Sequence, residues 1–237
     1  MSDIIENLIN ICDLFENPDV LKHFTKEELS ELSHEKKVIS FKKGDAIIEE
    51  GGTPKGIYYL SKGTAKMFKL GFNGKEQILR FAKMGDIIGY RSILSRQPYG
   101  ASSTAMEETE ACFIPEKFFM KILEFHPKLA FDILRRISED LGDSAQTITY
   151  LAQKTVRERL AEVLLLLEKK LDTDKDGFIK ISLTREEMAN LIGTATESAI
   201  RLISEFKTDQ LIEVDGRRIK ILDHQKLVKL AHVTQSF

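Results

Sequence analysis

Residues 184–206, TREEMANLIGTATESAIRLISEF, read as two short helices joined by a tight turn. Thr184 and Glu187 have the spacing of a capping box, in which each satisfies the other's backbone N–H. Met188, Ala189 and Ile192 form one apolar face of the first helix. Gly193 then supplies a left-handed backbone at low cost. Ala199, Leu202, Ile203 and Phe206 recur at helical spacing, which puts Glu197, Ser198, Arg201 and Glu205 mostly on the outer side of the second helix. An apolar inner face with a polar outer N-terminal half is the layout of a helix that enters a DNA major groove. Arginine offers the two-donor fork that fits guanine O6 and N7, and glutamate can accept from cytosine N4. Glu197 and Arg201 are also four apart, the spacing of an ordinary surface ion pair, so spacing alone leaves both readings open.

The residues just beyond favour the first. Leu211–Val214 and Arg217–Leu222 read as two strands joined by Asp215-Gly216. A helix–turn–helix followed by a basic hairpin is a winged helix. Arg217, Arg218 and Lys220 are its candidate phosphate contacts, with Thr184, Arg185, Thr194 and Ser198 at the helix starts.

Upstream, Leu134, Ile137, Leu141, Ser144, Ile148 and Leu151 recur at spacings of three and four. That heptad seam fits either a core helix of one domain or a long helix that pairs with a second copy of the chain, and its place between two unlike modules favours the second. Before it, from Lys36 to about Pro115, short Ile-, Val-, Tyr- and Phe-rich runs alternate with glycine turns. The runs Val38–Phe41, Ala46–Ile48, Gly56–Leu60, Thr64–Leu70, Glu76–Phe81 and Asp86–Ile88 predict a β sandwich or barrel. Asn73-Gly74 marks a hairpin. Near the N-terminus, Ile4, Leu8 and Ile11 share a helical face, and Thr25 with Glu28 opens another helix. The expected fold is therefore α+β, with three parts: residues 1–126, N-terminal helices and a β jelly roll; 127–153, a dimerisation helix; 154–237, a winged helix.

The order of glycines in Phe41-Lys-Lys-Gly-Asp45, Gly56-Ile-Tyr-Tyr-Leu-Ser-Lys-Gly63, Gly74-Lys-Glu-Gln-Ile-Leu79 and Met84-Gly-Asp-Ile-Ile-Gly89 resembles the cyclic-nucleotide-binding jelly roll of the Crp/Fnr transcription regulators. The likeness extends to Gly193 through Arg201, which is similar to that family's recognition helix. It implies that Glu197 and Arg201 read bases and that Thr196 and Ile200 vary with operator preference. Ala195 stands where the family has a phosphate-binding Ser or Thr. The resemblance implies a cytoplasmic homodimer on a near-palindromic DNA site, with RNA polymerase met through Gly71-Phe72-Asn73-Gly74.

The sensor end departs from the family pattern. Tyr90 follows Gly89 where cyclic-AMP binders carry a ribose-binding Glu, and Gly100-Ala101-Ser102 lacks the phosphate-binding Arg. A buried phosphate without compensating charge is costly, which argues against cyclic AMP. Two cysteines, Cys12 and Cys112, fall short of the four thiolates of an iron–sulfur cluster. Five histidines, His23, His34 and His126 among them, leave haem open. The effector is unassigned, and Tyr90, Arg91, Ser102, Ser103, Thr147 and Tyr150 are the candidates to line a pocket between jelly roll and long helix.

Other classes find less support. Asp172-Thr-Asp-Lys-Asp-Gly177 resembles the start of a calcium loop, but Leu183 occupies the position of the bidentate glutamate. No nucleophile–base pair, metal cluster or Walker loop points to an enzyme. A ligand-binding module that controls a partner protein is the rival reading, and the winged helix weighs against it. The net charge is −2, and from Lys154 onward 15 Lys and Arg face 14 Asp and Glu, so bulk charge selects no partner. No run approaches the length of a membrane span, and the acids within the first apolar run exclude a signal peptide.

Overall fold

The computed structural model describes residues 24–232, which form two compact units. The first comprises residues up to Leu70 and Leu79–Leu141, and the second comprises Gly71–Ile78 and Gly142 onward. The face shared by Ile4, Leu8 and Ile11 lies outside the described residues, as do Cys12 and His23.

In the first unit, α1 (Lys26–Glu35) starts at the expected capping box, with the Thr25 hydroxyl accepting from Glu28 N–H. Eight strands follow: β1 (Lys37–Phe41), β2 (Ala46–Ile48), β3 (Gly56–Lys62), β4 (Thr64–Leu70), β5 (Glu76–Lys83), β6 (Ile87–Ile88), β7 (Ser102–Ala105) and β8 (Thr109–Pro115). Helix α2 (Tyr90–Ser95) separates β6 from β7, and α3 (Glu116–Phe125) follows β8. The strands make two four-stranded sheets, in the orders β1-β8-β3-β6 and β2-β7-β4-β5.

Alternation along the strands builds two cores. Leu60, Ala65, Ala82, Ile88, Ala105 and Ala111 pack together between the sheets. Ile57, Tyr59, Cys112 and Ile114 point the other way, onto Phe118, Phe119 and Ile122 of α3 and Leu129 and Ile133 further on. The first sheet is thus covered on both faces, and its central strands are correspondingly apolar from Gly56 to Leu60 in β3 and from Ala111 to Pro115 in β8. Gly56 is needed where these strands touch, since a Cβ there would lie 2.2 Å from the Ile114 carbonyl oxygen.

Helix α4 (Pro127–Gln153) passes from the first unit into the second. Ile137 packs against the helix-covered core, whereas Phe131, Leu134, Leu141 and Ile148 are 57–71% exposed. The exposed apolar stripe is therefore turned from the expected one: it keeps Leu134, Leu141 and Ile148 and flanks them with Phe131 and Ala145, not with Ile137 and Leu151.

In the second unit, α5 (Val156–Leu171) has its own capping box, Thr155 with Glu158, and buries Leu160, Val163, Leu164 and Leu167. Then come α6 (Arg185–Ile192), α7 (Thr196–Thr208), the hairpin β9 (Ile212–Asp215) and β10 (Arg218–Ile221), and α8 (His224–Ala231). Phe178–Leu183 alternates like a strand but makes only one bridge, between Thr173 and Ile179, with Ile179 N–H donating to the Ile219 carbonyl. The hairpin turn is also shifted by one residue. Asp215 pairs with Arg218, leaving Gly216-Arg217 as the two-residue loop.

Candidate nucleic-acid interface

The helix–turn–helix forms as its caps dictate. Thr184 Oγ1 accepts from Glu187 N–H at 3.1 Å, and Glu187 Oε2 accepts from Thr184 N–H at 2.8 Å. The hydroxyl proton of Thr184 remains for an external acceptor. Gly193 ends α6 at φ +65°, and a Cβ there would come within 3.1 Å of Leu151 Cδ2 and 3.2 Å of Arg159 Nη1. Leu151 thus faces the turn of this motif, which accounts for its absence from the exposed stripe of α4.

Helix α7 buries Ala199, Leu202, Ile203 and Phe206 and presents Glu197, Ile200 and Arg201 outward. Its N-cap, Ala195, makes no side-chain cap, so the first backbone N–H groups of α7 are left to an outside acceptor such as a phosphate. Thr194, Thr196 and Ser198 flank that end, each partly exposed. The Arg201 side chain is 75% exposed. Its ion-pair neighbour is Glu205, at 3.9 Å from Nε, and not Glu197. The surface-pair alternative for Glu197 and Arg201 therefore does not describe this helix.

The wing sorts its cations. Arg217, in the turn, is exposed. Arg218 is not presented in the same way. Its guanidinium pairs with Asp174, approaches Asp215 at 3.7 Å and lies 4.2 Å from the centre of the Phe178 ring. Burial works against the Asp174 carboxylate, but Arg218 and the N–H groups of Phe178 and Asp176 outweigh it and hold its pKa below the usual range. The loop that resembles a calcium site thus has its second acid committed to arginine. Lys220 lies against Gly177 and the Phe178 ring. Arg185 Nη2 donates to the Gly216 carbonyl at 2.9 Å, bracing the wing turn. Arg218 and Arg185 are buttresses of the wing in this geometry, which spacing could not reveal because their acceptors are distant in sequence.

The effector-pocket candidates are divided between the units: Tyr90, Arg91, Ser102 and Ser103 belong to the first, Thr147 and Tyr150 to the second. Tyr90 is buried, and its hydroxyl donates to Asp140 Oδ2 at 2.8 Å; burial, then the Asp140 carboxylate, raises its pKa. Arg91 is exposed, Ser102 Oγ accepts from Glu50 N–H at 3.0 Å, and Ser103 is buried with its hydroxyl unpartnered. Thr147 donates to the Asp143 carbonyl, and Tyr150, whose pKa burial raises, donates to the Arg159 carbonyl. Sequence reading missed a polar cluster around Tyr90. Arg136 lies 3.1 Å from Asp86 and 3.5 Å from Asp140, and Arg80 buries one guanidinium nitrogen without a partner. At Gly100–Ser103, Arg91 Nη2 comes within 3.8 Å of where a Cβ on Gly100 would stand, and the unpartnered Ser103 hydroxyl belongs to the same stretch. Among the described residues no group of three or more His, Cys, Asp or Glu is arranged to hold a metal ion, and no helix is long and apolar enough to cross a membrane.

Comparison with known proteins agrees with this geometry. The family model for the cyclic nucleotide-binding domain matches residues 38–126, and that for the Crp-like helix-turn-helix domain matches residues 158–230. Electron transport regulator A of Shewanella oneidensis is 31% identical over 86% of this chain and 82% of its own length. The fumarate and nitrate reduction regulatory protein of Vibrio cholerae is 28% identical over 92% of this chain and 87% of its own length. In fold, the chain resembles FixK2 from Bradyrhizobium japonicum, with a TM-score of 0.74 and 21% identity over 84% of this chain and 98% of that one. Jelly roll, long helix and winged helix, matched along nearly the whole chain by a relative of this identity, place the protein in the Crp/Fnr family of DNA-binding transcription regulators, not among enzymes.

Proposed function

We propose that the protein acts in the cytoplasm as a homodimer that reads a near-palindromic DNA site without cyclic AMP. The observation that carries this is the outer face of α7, where Glu197, Ile200 and Arg201 stand exposed above a fully packed inner face. Arg201 would take guanine and Glu197 cytosine N4, with Thr196 and Ile200 tuning neighbouring positions. Thr184, Thr194, Ser198, Arg217 and the open N-terminus of α7 would hold phosphates. Two copies would pair along Phe131, Leu134, Leu141, Ala145 and Ile148 of α4. RNA polymerase would meet the turn at Phe72, whose ring is fully exposed among the described residues.

The test is selection of duplexes from a random pool by purified protein with no added ligand. The expected product is an inverted repeat whose half-sites are centred roughly one helical turn, about 10 base pairs, apart. A pool that stays random with folded protein, and stays random again in cell extract, would sink the sequence-reading assignment and restore the rival of a ligand-binding module acting on a protein partner.

A further inference from the structure

Arg157, in the first turn of α5, lies outside the helix–turn–helix and is not among the expected DNA contacts. Its guanidinium lies 5.0 Å from the centre of the buried Phe206 ring on α7. From there it spans two carboxylates one turn apart, Glu205 on α7 and Asp209 at its C-cap. Nη1 donates to Glu205 Oε2 at 2.9 Å, and Nη2 donates to Asp209 Oδ2 at 2.7 Å.

Glu205 is also one turn beyond Arg201. On an isolated helix that spacing favours an ion pair. Here the approach is 3.9 Å, too long for a hydrogen bond, and the Arg201 side chain stays 75% exposed. Arg157 and Arg201 thus approach different oxygens of the same carboxylate, and Arg157 has the closer hold. The planar fork suits this role: one guanidinium stacks on an aromatic ring while its two ends engage two separate acids.

We propose that Arg157 is a positioning residue for DNA readout: by binding Glu205 and Asp209 over Phe206, it keeps Glu205 away from Arg201 and leaves that guanidinium for a base. Without Arg157, both oxygens of Glu205 are available to Arg201 across one helical turn. The reading residue must then break a local pair before it can engage guanine. This inference rests on the proposal that Arg201 reads a base.

The experiment measures affinity of the full-length protein for its selected duplex and for an unrelated duplex of equal length. Four proteins are compared: wild type, Arg157→Gln, Arg157→Gln with Glu205→Gln, and Arg201→Ala. Arg157→Gln is expected to lose about tenfold on the selected duplex and less than about twofold on the unrelated one, an effect within the range of one base contact. Adding Glu205→Gln should restore most of that loss, because the competing charge is gone. Both Arg157 variants lose the stacking on Phe206, so a purely structural role predicts no rescue. Equal losses on the two duplexes, or a double variant as weak as the single, would overturn the proposal. If Arg201→Ala leaves discrimination intact, the base-reading assignment itself fails and takes this inference with it. If Arg201→Ala abolishes discrimination while Arg157→Gln does not, only the role of Arg157 is refuted.

Discussion

Leu141→Ala tests the dimer stripe directly. Leu141 is 71% exposed within one chain and sits at the middle of the apolar row on α4. Truncation removes about three carbon groups, each worth about 0.8 kcal/mol when buried. Scaled by the exposed share, that is about 1.7 kcal/mol per chain. A two-fold interface counts the residue twice, so the dimer loses about 3 kcal/mol, and its dissociation constant rises roughly a hundredfold or more. Sedimentation equilibrium over a wide concentration range reads that change. The thermal midpoint of the separated chain should move little, because the side chain packs on nothing of its own. Ile137→Ala is the control. Ile137 packs against the core of the first unit, so its truncation should lower the thermal midpoint and leave the dissociation constant nearly unchanged. A Leu141→Ala dimer within about threefold of wild type would refute this stripe, since even one methylene-equivalent at a symmetric contact exceeds that change. If Ile137→Ala instead dissociates the dimer, the pairing follows the seam through Ile137 and Ser144.

Three further outcomes are expected. Arg217→Ala should weaken binding to all duplexes alike and flatten the salt dependence by about two in log–log slope per dimer; Arg218→Ala should lower the thermal midpoint of the second unit and barely change that slope, and equal salt effects from the two would refute the division of roles. Burial, then the neighbouring Tyr58 hydroxyl, pushes Tyr99 up to about 12, so its proton is held more tightly folded than unfolded. That contribution is complete below the ordinary tyrosine value near 10 and is lost as pH rises toward about 12; chemical denaturation should show a shallower alkaline decline in Tyr99→Phe, and parallel curves would contradict it. Phe72→Ala should keep operator affinity while lowering transcription from a promoter carrying that operator, and unchanged transcription would remove the polymerase contact from that turn.

What the sequence made legible was local. Capping boxes at Thr25 and Thr184 depend on residues three apart, and helix starts there follow from chemistry within one turn; the equivalent box at Thr155 went unread. The strands β1 to β6 were read from short apolar runs between glycine turns, whereas β7 and β8, which no such glycine spacing marks, were not. The seam on α4 was read only in part. Ile137 and Leu141 are equally apolar, and periodicity cannot say which of two adjacent stripes faces the chain's own core and which faces outward. Phe178–Leu183 alternates like a strand, yet it makes only one bridge, with Thr173, and one backbone bond to the Ile219 carbonyl instead of a ladder. The wing turn moved by one residue because Asp215 pairs across with Arg218, a choice made by the register of β9 and β10 and not by the Asp-Gly pair.

The candidate site shows the same limit in its charges. Sequence locates cations, but what opposes each one decides its use. Arg218 faces Asp174, Arg185 faces the Gly216 carbonyl, and Arg157 faces Glu205 and Asp209, whereas Arg201 and Arg217 remain exposed. The acids of the calcium-like loop and the acids of α7 thereby serve the same end, holding some arginines in place so that others are presented. A net charge of −2 is then no obstacle to binding DNA. Attraction to phosphate falls off within about a Debye length, roughly 8 Å at physiological salt, so only charges at the surface of contact count. Acids bound to buttressing arginines are already neutralised and repel the duplex little. A chain built this way gains less from long-range attraction than a basic one. More of its discrimination must come from the geometry of a few presented groups, which makes the freedom of Arg201 the quantity on which sequence reading depends.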